Sequence, residues 1–365
     1  MSLSVELIGI FLRDFIIFYA IYLIVSLSLN LEYGYGGVSN FGKVLAVAGG
    51  AFTVGFLPGR LIAWIFNIGT AEYNGLADYA TLTYHVTIVT EINKLLAANP
   101  AVSIAIFVTT LVVAALVGAA LGYIASYPAI RLREDYLAII LLAMGEAIRI
   151  IGHNYTPIIR GTLGCLVPDV FGWAGEFRYI AVLIALVCIG ILVLLYLERL
   201  VRTPLGRMLR AIRDKEDVAA SLGKDVTRTR MKVIMVASMI GAIAGGLDAF
   251  KAGGIISTMY QRNTWTFWPW VMVILGGSAN NMGTVVGTFA FTTLRRVLDY
   301  FKGTLDPFVP FSVVWLEPMI LGILLILIQW YRPEGLIPEK PTHTLGWKKL
   351  KKIAGFTREE NVESA

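Results

Sequence analysis

The 365-residue chain is 57% hydrophobic and 15% charged, where an ordinary soluble domain carries about 25% charged residues. A soluble fold could not hide that much apolar surface, so the bilayer is the expected solvent. The net charge of +6 points to no nucleic acid, because charge must be located before it is interpreted, and here it gathers in two segments beside apolar runs. Runs approaching the roughly 20 apolar residues that cross a bilayer predict spans at 14–32, 40–58, 100–127, 136–151, 178–198, 232–252, 266–277 (short), 283–301 and 314–332. The reading is an all-α polytopic membrane protein of about eight or nine spans, with a transmembrane domain over 1–338 and a basic tail over 339–365. The first run has no basic start and no small-residue cleavage site, so it is expected to stay in the mature protein. Cys188 falls inside an apolar run and Cys165 in a loop, nothing suggests that they meet, and they receive no disulfide, metal or redox role.

After the first span comes YGGVSNFGKVLAVAGGAF at 35–52, matched late in the chain by LGGSANNMGTVVGTFAF at 275–291. Each has a Gly-Gly break, a small polar patch with Asn, a second Gly, and a small-residue helix. The chain therefore reads as two related halves with broken helices. Backbone that leaves helical geometry at membrane depth is tolerated only where protein or a water-filled cavity satisfies it, and paired breaks in two halves point to a translocation path. Gly36, Gly37, Ser39, Asn40, Gly42, Gly276, Gly277, Asn280, Asn281 and Gly283 are the candidate path residues. The competing reading, close helix packing through small residues, is preferred for Gly49, Gly50 and Gly287. The string from Gly37 to Lys43 imitates a P-loop but has Val44 where the Mg²⁺-binding Ser/Thr belongs, and no αβ pattern surrounds it. No nucleotide site is expected in this chain.

The loop 59–99 contains a helix-like stretch at 86–98 carrying Glu91 and Lys94, expected to lie at the outer surface rather than to span. Glu146 and Arg149 stand three apart in an apolar run, on one helical face and close enough to pair. Two readings stand: a compensated structural pair, or a direct role in the path. Asn154-Tyr155-Thr156 fits a glycosylation sequon but carries no weight alone.

The segment 200–232 holds nine Lys/Arg against four acids, a net +5. A second basic group, Lys348, Lys349, Lys351 and Lys352, follows the last span, where anionic lipid headgroups are the expected partner. By the positive-inside rule both segments are cytoplasmic, so the N-terminus lies outside and the C-terminus inside. Arg131 and Arg133 agree with this orientation; Arg295 and Arg296 fall in the outer half of their span and count against it, unless they snorkel. Within the loop, Met208, Leu209, Ile212, Ala219 and Leu222 recur at helical spacing, and Gly223 is a natural helix stop. An amphipathic helix pair is expected, either resting on the bilayer or docked on a partner protein; Asp214, Glu216 and Asp217 would be repelled by an anionic membrane and favour the partner. His85, His153 and His343 show no metal-ligand spacing, and no nucleophile motif appears, so neither a metal site nor an enzyme is expected.

These residues are similar to a known family. TPLGRMLRAIRDKEDVAASLG at 203–223 resembles the cytoplasmic coupling loop of permease subunits of branched-chain amino acid ABC importers, the leucine/isoleucine/valine type, M-type subunit. LNLEYGYGGVSNFG (29–42), RLREDYLAIILLAMGEAIRI (131–150), VILGGSANNMGTVVG (273–287) and YRPEGLIP (331–338) resemble the family's other segments, in order. The chain departs from the family at Lys43, where a histidine is usual, and at Ala279 in the late glycine motif; the subtype's additional N-terminal span is not expected. The resemblance implies a plasma-membrane permease paired with a second permease subunit, identical or related. It also implies two cytoplasmic ATPases, which hold the ATP and Mg²⁺, and an extracytoplasmic binding protein. Gly206, Arg210, Arg213, Glu216, Ala219, Ala220 and Gly223 would couple it to the ATPases. An ion-coupled secondary transporter of a small polar solute is the alternative.

Overall fold

The computed structural model describes residues 5–69, 74–81, 83–131, 134–305 and 316–339. The Arg131 side chain, Arg133 and the tail with Lys348, Lys349, Lys351 and Lys352 lie outside the described residues. The helices are α1 Val5–Leu29, α2 Lys43–Ile65, α3 His85–Ala98, α4 Pro100–Arg131, α5 Glu134–Asn154, α6 Thr156–Ile159, α7 Arg178–Arg202, α8 Pro204–Asp214, α9 Glu216–Ser221, α10 Val226–Ala252, α11 Trp268–Gly276, α12 Asn281–Leu305 and α13 Leu316–Tyr331.

Among the described residues, six helical stretches are long and apolar enough to cross a membrane: Gly9–Tyr35, Lys43–Ile65, Pro100–Pro128, Tyr136–Asn154, Gly172–Arg202 and Val226–Ala252. They match the first six predicted spans. The short seventh prediction is α11, entered through a π-helical turn at Asn263–Phe267. The last two fall on α12 and α13. The stretch 86–98 lies in α3, whose Ile88, Val89, Ile92 and Leu96 are buried.

The centre of the bundle is α2 and α10, with 78% and 72% of their most apolar 18-residue stretches buried, and α4 packs against both. Without a hydrophobic drive between helices in lipid, close approach through small residues supplies the packing. A Cβ on Gly50 would lie 1.9 Å from the Ala242 carbonyl oxygen, and one on Gly245 equally close to that of Val47. The two backbones therefore touch, as the packing reading of Gly50 required. Helix α1 packs against α7, α10 and α12. Arg295 and Arg296 both lie against aromatic rings: the Arg295 guanidinium is 4.0 Å from the Trp268 ring centre and 4.6 Å from that of Phe18. Arg296 lies over Phe18 and donates to the Asp14 carbonyl at 3.3 Å. The aromatic faces of α1 and α11 thus receive both cations.

At the end opposite α8 and α9, Cys165–Leu166 pairs antiparallel with Gly254–Ile255. The His85 ring is held between the Tyr79 carbonyl at Nδ1 (2.7 Å) and the Leu166 amide, which donates to Nε2 (2.9 Å). Those bonds require a neutral ring with its proton on Nδ1. Burial, with the charges of Arg160 and Arg60 behind it, lowers the His85 pKa against the pull of the Tyr79 carbonyl. Burial also pushes the Cys165 thiol up to about 11.

Candidate functional site at the helix breaks

The first break begins where α1 loosens into a π-helical turn at Asn30–Tyr35. Gly37 then takes a positive φ of 67°, a conformation open to glycine. The Asn40 Oδ1 accepts from the Gly42 amide at 2.8 Å, which satisfies one of the free donors ahead of α2. Beneath this turn is a side chain that sequence reasoning passed over, Glu32, fully buried. Its Oε2 accepts from Asn40 Nδ2 at 3.0 Å and from Lys43 Nζ at 3.1 Å, and Lys43 also donates to the Ala237 carbonyl at 3.2 Å. Lys43 is itself fully buried, so the lysine of the P-loop-like string is spent inside the bundle. An acid at the end of an apolar run, with a lysine eleven residues on at the start of the next one, was the available signal.

The second break repeats these elements. Helix α11 stops at Gly276, Gly277 has φ 109°, and the Asn280 Oδ1 accepts from the Met282 and Gly283 amides at 3.0 and 3.3 Å at the start of α12. The segment after α13 satisfies the last carbonyls of α11: Leu336 and Ile337 donate to Leu275 and Gly276, both at 2.9 Å. Asn280 Nδ2 donates to the Pro338 carbonyl at 2.9 Å.

The breaks meet each other. Asn30 Nδ2 donates to Asn281 Oδ1 at 3.1 Å, and the Ala279 amide donates to Asn30 Oδ1 at 2.9 Å. A Cβ on Gly34 would stand 2.4 Å from the Ala279 nitrogen. Asn281 Nδ2 reaches Glu198 on α7 at 3.0 Å. Of the candidate path residues, Gly36, Asn40, Gly42, Gly276, Gly277, Asn280, Asn281 and Gly283 are buried, and Gly37 and Ser39 are half-buried. Gly42 presses on the Leu141 carbonyl of α5, and Gly276 on Gly283.

The basic loop folds as the helix pair α8 and α9, and it lies against this node. Leu209, Ile212 and Ala219 are buried as their spacing predicts, but Leu222 is exposed, as are Val218 and Ala220. Gly206 is required by crowding, since a Cβ would lie 1.9 Å from the Val201 carbonyl oxygen; Gly223, at φ 74°, ends α9 in open space. Arg210 and Arg213 turn inward. Arg213 donates to the Gly34 carbonyl at 2.7 Å and to Glu339 at 2.9 Å, and Arg210 lies 3.2 Å from the other Glu339 oxygen. Desolvation opposes the charge on Arg213, but its bonds to Glu339 and Asp214 outweigh that and raise its pKa. Glu216 takes both terminal nitrogens of Arg230, at 2.9 and 2.8 Å. Away from the node, Arg149 Nε donates to Glu146 at 2.8 Å, the pair its spacing predicts.

One loop thus ties the first helix interruption to the strap at Pro338 and Glu339 that caps the second, in a polar cluster built on four of the five segments of the resemblance. Residues 11–329 match the model of the family described as branched-chain amino acid transport system / permease component. The chain belongs to that family. It is 40% identical over 357 residues to the probable branched-chain amino acid transport permease protein LivM of Methanocaldococcus jannaschii, covering 97% of this chain and 100% of that one. It is 29% identical over 258 residues to the high-affinity branched-chain amino acid transport system permease protein LivM of Salmonella typhimurium, and 27% identical over 257 residues to that of Escherichia coli. Those two alignments cover 64% of this chain and 57% of each relative. No solved structure matches. Membership accounts for helices apolar enough to span a membrane and makes the chain a transport permease of the multi-pass kind.

Proposed function

We propose that the chain is the membrane-embedded permease subunit of an ATP-driven importer for branched-chain or related amino acids. It moves substrate by alternating access, with the N-terminus outside and the C-terminus in the cytoplasm. Two cytoplasmic ATPases bind ATP and Mg²⁺, a second permease subunit completes the path, and an extracytoplasmic binding protein delivers the substrate. The observation that carries this reading is the attachment of the loop: through Arg213, α8 holds the backbone of the first break and the strap at Glu339 that caps the second. A push on the outer face of α8 and α9 therefore reaches both interruptions at once. The two breaks, with Ser39, Asn40, Asn280 and Asn281, form the inner end of the path, and their shared pattern of positive-φ glycine and capping Asn supports two related halves. Val218, Ala220 and Leu222, exposed beside the acids Asp214, Glu216 and Asp217, form the face that docks in the ATPase.

The test is uptake of leucine into liposomes holding the assembled transporter. Uptake should require ATP inside and vanish when the ATPases are omitted. Accumulation by the permease alone on an ion gradient would overturn this reading in favour of secondary transport.

A further inference from the structure

Glu146 and Arg149 stand near the middle of the span Tyr136–Asn154. At 1.5 Å per residue Glu146 is about 15 Å from one end and about 12 Å from the other. Yet neither side chain is enclosed: Glu146 is 25% exposed and Arg149 31%. A third ion joins them from the stretch before α11. Arg262, 49% exposed, approaches Glu146 at 3.9 Å, beyond hydrogen-bond length. A half-exposed ion at this depth is expensive in lipid, and a carboxylate on so short a stem cannot snorkel to the interface. The exposed apolar face of α5, with Ile139, Ile150 and Ile151, borders Glu146, since Ile139 stands seven residues before it and Ile150 four after, and Arg149 lies on the side turned away from that face. The charged flank faces the stretch around Arg262, where Gln261 and Asn263 are also exposed and where His153 meets Ser257 at 3.1 Å.

This flank has two guanidiniums for one carboxylate, and one of them is held only loosely. It suits a small molecule with a carboxylate and an ammonium: guanidinium forks match carboxylates in geometry, and the Glu146 carboxylate accepts from an ammonium. We propose that Glu146, Arg149 and Arg262 line the water-filled path and bind the charged ends of a transported zwitterion, its carboxylate on Arg262 and Arg149 and its ammonium on Glu146. This rests on the permease reading above and assigns the substrate contact within it.

The experiment uses the complete transporter in liposomes, with leucine as probe. Arg262→Gln should lower ATP-dependent uptake about tenfold or more while the complex still assembles and hydrolyses ATP, and Arg262→Lys should restore part of it. The exchange Glu146→Arg with Arg149→Glu keeps an ion pair in place; uptake should remain lost, whereas a purely structural pair would recover. With Cys188→Ser as background, Arg262→Cys should react with a charged, membrane-impermeant thiol reagent in the assembled transporter. Wild-type uptake by Arg262→Gln, or an unreactive Arg262→Cys, overturns the proposal. Failure of the wild-type complex to take up leucine with ATP strikes the permease reading instead, so the two failures are distinguishable.

Discussion

Arg213 and Glu339 are bonded at 2.9 Å across 126 residues of sequence, and the same guanidinium donates to the Gly34 carbonyl at 2.7 Å. A helix of the basic loop is thereby bound to the first helix break and to the strap that caps the second. This is a mechanical link, because both partners are half-buried and a charge-assisted bond in such a place is worth about 1.5–3 kcal/mol.

The strap is testable through Glu339. Glu339→Ala should release Arg210 and Arg213 and slow ATP-driven uptake severalfold while the ATPases still co-purify. Exchanging the charges, Arg213→Glu with Glu339→Arg, should recover part of the loss. Full uptake by Glu339→Ala would sink the link.

Docking should depend on the outward face rather than on the inward arginines. Val218→Asp with Leu222→Asp should abolish co-purification of the ATPases with no change in the thermal midpoint, since both residues are exposed. Arg210→Glu with Arg213→Glu should instead lower the thermal midpoint by placing two new acids beside Glu339. If the arginine pair alone removed the ATPases at unchanged midpoint, the inner and outer roles would be reversed.

The buried pair Glu32 and Lys43 should show the asymmetry of a desolvated salt bridge. Lys43→Met alone leaves an unpaired carboxylate and should cost about 3–5 kcal/mol, whereas Glu32→Leu together with Lys43→Met should recover most of it. Thermal unfolding in detergent reads both. A single variant as stable as the wild type would show that Glu32 is neutral without its partner.

The end of the bundle opposite the loop should be acid-sensitive. His85 is neutral in the fold and its pKa is lowered, so below the ordinary imidazole value of about 6.5 the unfolded chain binds a proton that the folded one refuses. Stability is then fully present above about pH 6.5 and falls as the pH drops, with a slope of up to about 1.4 kcal/mol per unit. Thermal midpoints at pH 7.5 and 5.5 should differ in the wild type and converge in His85→Gln. An equal difference in that variant would assign the effect elsewhere.

Much of the architecture was legible in the chain, because a bilayer allows few solutions. Backbone groups must be satisfied within each segment, so run length and hydropathy predicted the six long spans, and positive charge marked the loop between α7 and α10. Helical spacing likewise placed Leu209, Ile212 and Ala219 on a buried face and paired Glu146 with Arg149. What the sequence by itself determined is local: spans, breaks, an amphipathic loop and the family resemblance they carry. Contacts between distant residues were decided only by the tertiary structure. The resemblance assigns Arg210 and Arg213 to coupling, but only the fold shows that they face Glu339 and that the first break brings Lys43 back onto Glu32. Leu222 has the spacing of a buried residue but ends a helix of six residues, too short to turn it inward. Periodicity reports which face of a helix is apolar, whereas the partner of a charge depends on which segments the bundle brings together.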